Sequence, residues 1–102
     1  MKSIYYDAKA KAELKEMPLP VQKAFVSLIE NLKLTGRLAL PDAKKLDKNL
    51  YEIRVKFQGE FRSFYAYVGK DFIVILHFFH KKTPKTPPKN LKTAKRRLKQ
   101  YE

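Results

Sequence analysis

The chain has 102 residues, 44% of them apolar and 13% aromatic, which suffices for one folded core and is too short for two domains. It contains no cysteine, which excludes disulfides and disfavours structural zinc, and its formal net charge of +13 makes a polyanion such as nucleic acid the first partner to consider. The longest apolar run, Phe72–Leu76, is far shorter than the roughly 20 residues of a membrane helix, so we expect a cytoplasmic protein with no membrane partner.

The first forty residues predict a short strand followed by two helices. Residues 3–6 are interpreted as the strand, and Asp7 is placed to cap a helix over Ala8–Met17, a segment rich in helix-forming residues. Two prolines then end that helix and start another. Gly36 ends the second helix. Its apolar side chains recur at helical spacing, at Val21, Phe25, Leu28, Ile29 and Leu32.

From residue 51 the apolar period changes to two, which is typical of half-buried strands. Residues 51–57, Phe61–Val68 and Asp71–Phe79 are predicted as three consecutive antiparallel strands joined by glycine-containing turns. Residues 37–49 are interpreted as the connection between the helices and this meander.

A proline-bearing loop precedes a last helix, which Thr86 is placed to cap and Pro87 to begin. One face of this helix is apolar and the others are basic. The apolar face carries Leu91, Ala94, Leu98 and Tyr101. The order βααβββα predicts an α+β fold, an antiparallel sheet meander packed against helices, in a single domain over residues 1–102.

The turn lengths predict which side chains meet across the meander. A three-residue turn after Phe57 places Val55 opposite Ser63, and a two-residue second turn places Arg62 opposite His77. Like charges across strands cost about 0.2–1 kcal/mol per pair, so a cationic cluster on one face favours a bound phosphate over a merely solvated surface. That face gathers Arg54, Lys56, Arg62 and His77.

Three segments carry a family resemblance. Lys45–Arg54 has the pattern K-L-x-x-N-L-Y-E-I-R, Phe61–Tyr65 has F-R-S-F-Y, and His77–Pro87 has H-x-F-x-K-K-T-x-K-T-P. With these motifs the chain resembles the RelE/HigB-like toxins of type II toxin–antitoxin systems, in their phage-derived HigB-like subgroup. The resemblance covers about residues 45–101, and the last segment is its most specific part.

The resemblance implies a RelE-like fold and a ribosome-dependent mRNA endonuclease, or mRNA interferase, that cuts without a metal or another cofactor. The implied partners are the ribosome, mRNA and a helix-turn-helix antitoxin. As site residues the resemblance points to Arg54, Arg62 and Lys81. Asn49 occupies a position where the family usually has a glycine, so we expect a positive φ at this position. Asn90 lies near a frequent glutamate, whose absence leaves the general base open.

The residues permit such a cut, in which the ribose 2′-OH attacks its own phosphate. A guanidinium grips phosphate oxygens in two places, which suits Arg54 and Arg62. Histidine titrates nearest neutral pH, so His77 or His80 is a candidate for proton transfer, the alternative being a hydrogen-bonded core histidine. Residues 81–102 carry a net +8, which indicates a phosphate-binding surface. The predicted nucleic-acid contacts are Lys56, Lys82, Lys85, Lys95, Arg96, Arg97 and Lys99.

Two other interpretations fit the same sequence. One is a non-catalytic module with this fold that only binds RNA or a partner. The other is a basic surface that serves only an acidic partner protein. Cleavage of mRNA on translating ribosomes separates the enzyme from both, and the salt dependence of RNA binding separates the two binding modules.

Overall fold

The protein is described by a computed structural model that covers residues 1–39, 41–85 and 87–102. The structure confirms the α+β class, with one more strand than the sequence predicts. The elements in chain order are β1 (Ser3–Tyr6), α1 (Ala8–Lys15), α2 (Leu19–Thr35), β2 (Ala43–Asp47), β3 (Leu50–Lys56), β4 (Glu60–Val68), β5 (Phe72–Lys81) and α3 (Pro88–Leu98).

The five strands form one sheet in the order β1-β5-β4-β3-β2. β1 runs parallel to β5, and all other neighbours are antiparallel. The helices α1 and α2 pack on one face around Phe25, Ile53 and Phe78. On the other face α3 packs through Ala94 and Leu98 on a second apolar cluster. Among the helices within the described ranges, none is long and apolar enough to cross a bilayer.

The helix ends follow the predicted capping chemistry. Asp7 Oδ1 accepts from the N–H groups of Lys9 and Ala10, so it caps α1. Gly36 ends α2 in the left-handed conformation with φ +83°, which glycine adopts without steric cost. The N-cap of α3 is Pro87 itself. The predicted cap, Thr86, lies outside the described residues.

The strand that the sequence analysis did not predict is β2, within the stretch interpreted as a connection. It lies at the edge of the sheet, where Lys44 and Lys45 are exposed and only Ala43 is fully buried. An edge strand needs no regular apolar alternation, because it is covered on few sides and charged residues protect it from pairing with other chains. The period-two signal is therefore missing here.

The predicted pairing of β3 with β4 is wrong by two residues. The turn covers residues 57–59, so Val55 lies opposite Phe61 and not opposite Ser63. Because side chains alternate with a period of two, this shift leaves every side chain on its predicted face. The apolar face of the meander therefore packs on α1 and α2, as the alternation predicts.

The predicted pairing of β4 with β5 is also wrong. Val68 lies opposite Phe72, and a bulge between Phe64 and Tyr65 shifts the register once more. Arg62 consequently lies opposite Phe79, while His77 lies opposite Phe64. A bulge inserts one residue into a strand and is not visible in an alternation pattern.

Asn49 does not adopt the positive φ expected at its position. Among the described non-glycine residues only Gln58 has a positive φ, of 49°. Asn49 instead acts through its amide, which donates to the Tyr67 carbonyl at 2.6 Å and accepts from the Tyr67 N–H at 3.0 Å. The side chain thus extends the ladder between β3 and β4 by two hydrogen bonds.

Candidate active site

Charged and aromatic side chains form a three-by-three grid on the sheet face that α3 partly covers. Every second residue of β3, β4 and β5 points to this face. The rows across the strands are Lys56–Glu60–Lys81, Arg54–Arg62–Phe79 and Glu52–Phe64–His77. The β3 and β4 residues of the first two rows border a cleft of about 450 Å³, which we call the basic cleft. Its lining residues are Pro41, Asp42, Arg54, Lys56, Glu60 and Arg62.

Arg62 lies at the centre of the grid, on a strand that is hydrogen-bonded on both sides. Its side chain is only 6% exposed. Nη2 donates to Glu60 Oε1 at 2.6 Å and Nη1 donates to the Phe61 carbonyl at 3.1 Å. Nε lies 3.5 Å from Glu52 Oε1. A buried guanidinium with these neighbours is held in one orientation, as a preorganised site requires.

Two carboxylates that the sequence analysis did not consider, those of Glu52 and Glu60, separate the cations. Glu52 is buried and lies within ion-pair distance of both Arg54 and Arg62, at 3.4 and 3.5 Å. The hydrogen bond from Arg62 holds the pKa of Glu60 below its ordinary value. The predicted repulsion between cations is thereby offset. The same alternation that places the arginines on this face also places both glutamates there, so the signal was present in the sequence.

The other predicted cations of the grid differ in their availability to a ligand. Lys56 is the most open, with a side chain that is 81% exposed and an Nζ 3.7 Å from Glu60 Oε2. Arg54 is about one third exposed. Lys81 lies opposite Glu60 at the end of β5. A phosphate could therefore reach Lys56 and Arg54 directly, whereas Arg62 becomes available only if Glu60 moves aside.

His77 is a buried, hydrogen-bonded histidine, the alternative weighed against a proton-transfer role. Its Nδ1 lies 2.9 Å from Glu13 Oε1 and its Nε2 lies 2.6 Å from Asn90 Oδ1. Its ring stacks on Phe79 at a centroid distance of 5.3 Å. Both ring nitrogens are thus occupied. The amide oxygen of Asn90, in the first turn of α3, thus holds this histidine.

His80 lies on the other face of the sheet from Arg62. It pairs with Phe61 in the β4–β5 ladder, and the two rings stack at 4.5 Å with 12° between their planes. The imidazole is exposed beside the turn at Gly59. The structure therefore does not bring His77, His80 and the arginines together at one point.

Arg97, predicted as a phosphate contact, is instead a core residue. It is 8% exposed, donates from Nη1 and Nη2 to the two oxygens of Glu13 at 2.9 Å each, and donates to the Leu76 carbonyl at 2.8 Å. Burial by itself would raise the pKa of Glu13, but hydrogen bonds from His77, Arg97 and the backbone lower it to about 2. Arg97 is thus committed to an internal ion pair.

The remaining predicted nucleic-acid contacts lie on the surface. Lys95 contacts Asp47 of β2 at 3.0 Å and is still about half exposed. The other predicted contacts of this segment are exposed as well, namely Lys82, Lys85, Arg96 and Lys99. Within residues 1–39, 41–85 and 87–102, no three His, Cys, Asp or Glu side chains are grouped so that they could hold a metal ion.

Comparison with known proteins identifies the family of this chain. The sequence profile of the family described as phage-derived protein Gp49-like (DUF891) matches residues 12–99. The chain belongs to this family. No curated protein sequence matches the chain. The match confirms the resemblance noted for the motifs of β3 to β5.

Solved structures from E. coli share the fold. A double mutant of the toxin RelE in the free state has a TM-score of 0.69 at 11% identity, covering 99% of this chain and 98% of its own. The isolated RelE toxin has a TM-score of 0.66 at 12% identity, with 94% and 98% covered. A chain of the intact RelBE toxin–antitoxin complex has a TM-score of 0.66 at 12% identity, and the match covers 81% of this chain and 100% of that one. The Gp49-like chain therefore has the RelE toxin fold.

Proposed function

We propose that this Gp49-like protein is a toxin that cleaves mRNA on the ribosome and is restrained by an antitoxin. The observation that carries the proposal is the basic cleft, in which Arg62 is held at the centre of the sheet by carboxylates and flanked by Arg54 and Lys56. A fixed guanidinium binds a phosphate in two places. The family membership and the RelE fold support the same reading.

The chemistry proposed for the cleft is transfer of the phosphate within the RNA chain. The 2′-oxygen forms a bond to phosphorus, the bond from phosphorus to the 5′-oxygen breaks, and the products are a 2′,3′-cyclic phosphate and a free 5′-hydroxyl. Arg54, Lys56 and Arg62 stabilise the negative charge that builds up on the phosphate oxygens. One group accepts the 2′-hydroxyl proton and another supplies a proton to the leaving 5′-oxygen.

Glu60 is the proposed proton acceptor. In the free protein it occupies the place on Arg62 that a phosphate would take, at 2.6 Å from Nη2. An arriving phosphate displaces the carboxylate and removes the hydrogen bond that lowers the pKa of Glu60. The displaced carboxylate then becomes a stronger base beside the bound nucleotide. Lys81, which lies opposite Glu60 in the ladder, is the proposed proton donor to the leaving oxygen.

The partners proposed for the toxin follow from its charge and from its structural relatives. The exposed cations of α3 and of the preceding loop suit the phosphates of ribosomal RNA. One structural relative is part of the RelBE toxin–antitoxin complex, which supports an antitoxin partner for this chain as well. A helix-turn-helix antitoxin, expected from the motif resemblance, is part of the proposal.

A non-catalytic RNA- or partner-binding module with the same fold is the second candidate. The observation in its favour is that Arg62 is 6% exposed and already bonded to Glu60, so that a phosphate reaches it only after a side-chain movement. A protein that binds phosphates only through Lys56 and the α3 surface would not need that movement. The two candidates differ in whether Arg62 matters for RNA.

The deciding experiment is single-turnover mRNA cleavage on programmed ribosomes with Arg62→Ala. We expect cleavage to fall by about 10²–10³-fold, the loss typical of one charge-stabilising contact, while ribosome binding persists through the other cations. Arg62→Lys should restore little, because an ammonium cannot make the two-point contact. Lys23→Ala, an exposed cation of α2, is the matched control.

Two outcomes of this experiment would count against the proposal, and a third would move the test to another residue. Cleavage by Arg62→Ala at the wild-type rate removes Arg62 from the mechanism. Absence of cleavage by the wild-type protein, with ribosome binding intact, favours the non-catalytic module. A collapsed melting temperature of Arg62→Ala transfers the test to Glu60→Gln, which keeps the side-chain shape and should lose cleavage while it stays folded.

A further inference from the structure

A second cleft, on the face of the sheet opposite the basic cleft, is built from aromatic rings. Its volume is about 570 Å³, and it lies beside the turn between β3 and β4 and the start of the loop after α1. We call it the aromatic cleft. Among its lining residues are Glu16, Met17, Phe57, Gln58, Phe61 and His80.

We propose that the aromatic cleft binds a nucleobase of the RNA, stacked on His80. The inference rests on the proposed RNA-cleaving function, because it names the base-binding subsite of that substrate. The exposed imidazole of His80 lies parallel to the buried ring of Phe61, at 4.5 Å and 12°. One ring is thus fixed against the core while the other presents a flat surface, the arrangement on which single-stranded bases stack.

Gly59 makes room for this platform. A Cβ atom at this position would lie 2.9 Å from His80 Nε2, and the backbone has φ +140°, a conformation that only glycine adopts readily. The tight turn therefore lets the imidazole pass close to the backbone.

The charges around the aromatic cleft favour a nucleobase as its occupant and place the phosphate elsewhere. Two carboxylates, those of Glu13 and Glu16, line the cleft and would repel a phosphate. Lys56 and Lys81, which are adjacent in the chain to Phe57 and His80, point to the opposite face. Residues 80 and 81 point to opposite faces of the sheet, so the same end of β5 presents a stacking ring on one face and a cation of the grid on the other. An RNA strand that bends around this end would place a phosphate on one face and a neighbouring base on the other.

The rim of the aromatic cleft predicts which bases are preferred. Glu16 is exposed and supplies a carboxylate, which accepts hydrogen bonds from the exocyclic amine of a base. Uracil has no such amine. We therefore expect adenine, cytosine or guanine to be preferred at this subsite over uracil, and the preference to be lost in Glu16→Ala.

The test uses a short 2′-O-methyl RNA that carries one 2-aminopurine as a fluorescent base. This RNA cannot be cut, because it lacks the attacking hydroxyl. The protein has no tryptophan, so the signal reports the base alone. Wild-type protein should quench the fluorescence on binding. His80→Ala should remove the quenching and weaken binding about 5- to 150-fold, the range measured for loss of one base–aromatic stack. His80→Phe, which keeps a flat ring, should retain both.

Salt dependence and cleavage complete the test. His80→Ala should leave the slope of affinity against salt unchanged, whereas Lys56→Ala should lower it by about one. On ribosomes, His80→Phe should cleave at a rate near that of wild type. Unchanged quenching by His80→Ala, or a His80→Phe variant as defective in binding as His80→Ala, would overturn the stacking role. A His80→Phe variant that stacks and does not cleave would support the stacking role and assign His80 a proton-transfer role in addition.

The two proposals can fail separately. The quenching assay needs no cleavage, so an inactive protein that still stacks a base would contradict the proposed endonuclease and leave the aromatic cleft supported. A protein that cleaves mRNA and shows no quenching would contradict the aromatic cleft alone.

Discussion

Arg96 and Arg97 are neighbours on α3 that the fold uses in opposite ways, and replacing each with alanine separates the two uses. Arg97 points into the protein, where both oxygens of Glu13 and the Leu76 carbonyl accept its hydrogen bonds at 2.8–2.9 Å. Arg96 is exposed. We expect Arg97→Ala to destabilise the fold and Arg96→Ala to weaken RNA binding.

The size of the Arg97 effect follows from the burial of the pair. Removing one member of a buried ion pair costs roughly 3–5 kcal/mol, because the other charge is left without its partner. Glu13 is 29% exposed, so water can partly solvate it, and we expect the lower end, about 3 kcal/mol. In a domain of this size each kcal/mol moves the melting temperature by about 4–8 °C, which gives a decrease of about 12–24 °C. Arg96→Ala should change stability by less than about 0.5 kcal/mol.

Thermal and urea unfolding of the three proteins measure the stability difference, and RNA binding at several salt concentrations, below all melting temperatures, measures the phosphate contacts. The salt slope should be unchanged in Arg97→Ala and should fall by about one in Arg96→Ala if that side chain contacts a phosphate. The reasoning is refuted if Arg97→Ala melts like the wild type and has the lower salt slope, because Arg97 would then be a surface ligand.

Three further predictions concern stability. The pKa of Glu13 is lowered from 4.5 to about 2, so its ion pair stabilises the fold fully above about pH 4.5. This contribution of at most about 3 kcal/mol is lost as the pH falls towards 2. The urea concentration at the unfolding midpoint should therefore fall more over that pH range in the wild type than in Glu13→Gln. Asn49→Ala removes both hydrogen bonds to Tyr67 and should lower the free energy of unfolding in urea by about 1–3 kcal/mol. Asn49→Gly should lower it at least as much. A glycine variant as stable as the wild type would mean that this position needs backbone freedom and not the amide. Tyr101→Phe removes the 2.7 Å hydrogen bond to Asp7 and should cost about 1 kcal/mol, and an unchanged melting temperature would contradict that contact.

Sequence patterns predicted the faces of the sheet more reliably than the pairs across it. The apolar face of Ile53, Val55, Phe61 and Tyr65 follows from alternation alone, which tolerates an error of two residues in the turn. Pairing depends on exact turn lengths and on the bulge after Phe64, which no local pattern reports. The expected contact between Arg62 and His77 failed for that reason.

The sequence predicts the cations of the candidate site but not its carboxylates. The cationic pattern predicts Arg54, Lys56 and Arg62 but not Glu52 and Glu60, which lie on the same strands and the same face. The prediction that Arg97 contacts phosphate is wrong, because it rests on the net charge of the segment and not on the helix face on which Arg97 lies. It lies three residues after Ala94, on the side of α3 that packs on the sheet, so helical spacing already indicated its burial.

The ion pair between Glu13 and Arg97 and the hydrogen bond between Asp7 and Tyr101 join residues 84 and 94 positions apart in the chain. Contacts of such long range form late in folding, because the chain between them must be ordered first. We therefore expect α3 to dock after the meander has formed. Substitutions at Arg97 should then accelerate unfolding far more than they slow folding, and amide hydrogens of α3 should exchange through partial openings that leave β4 and β5 protected.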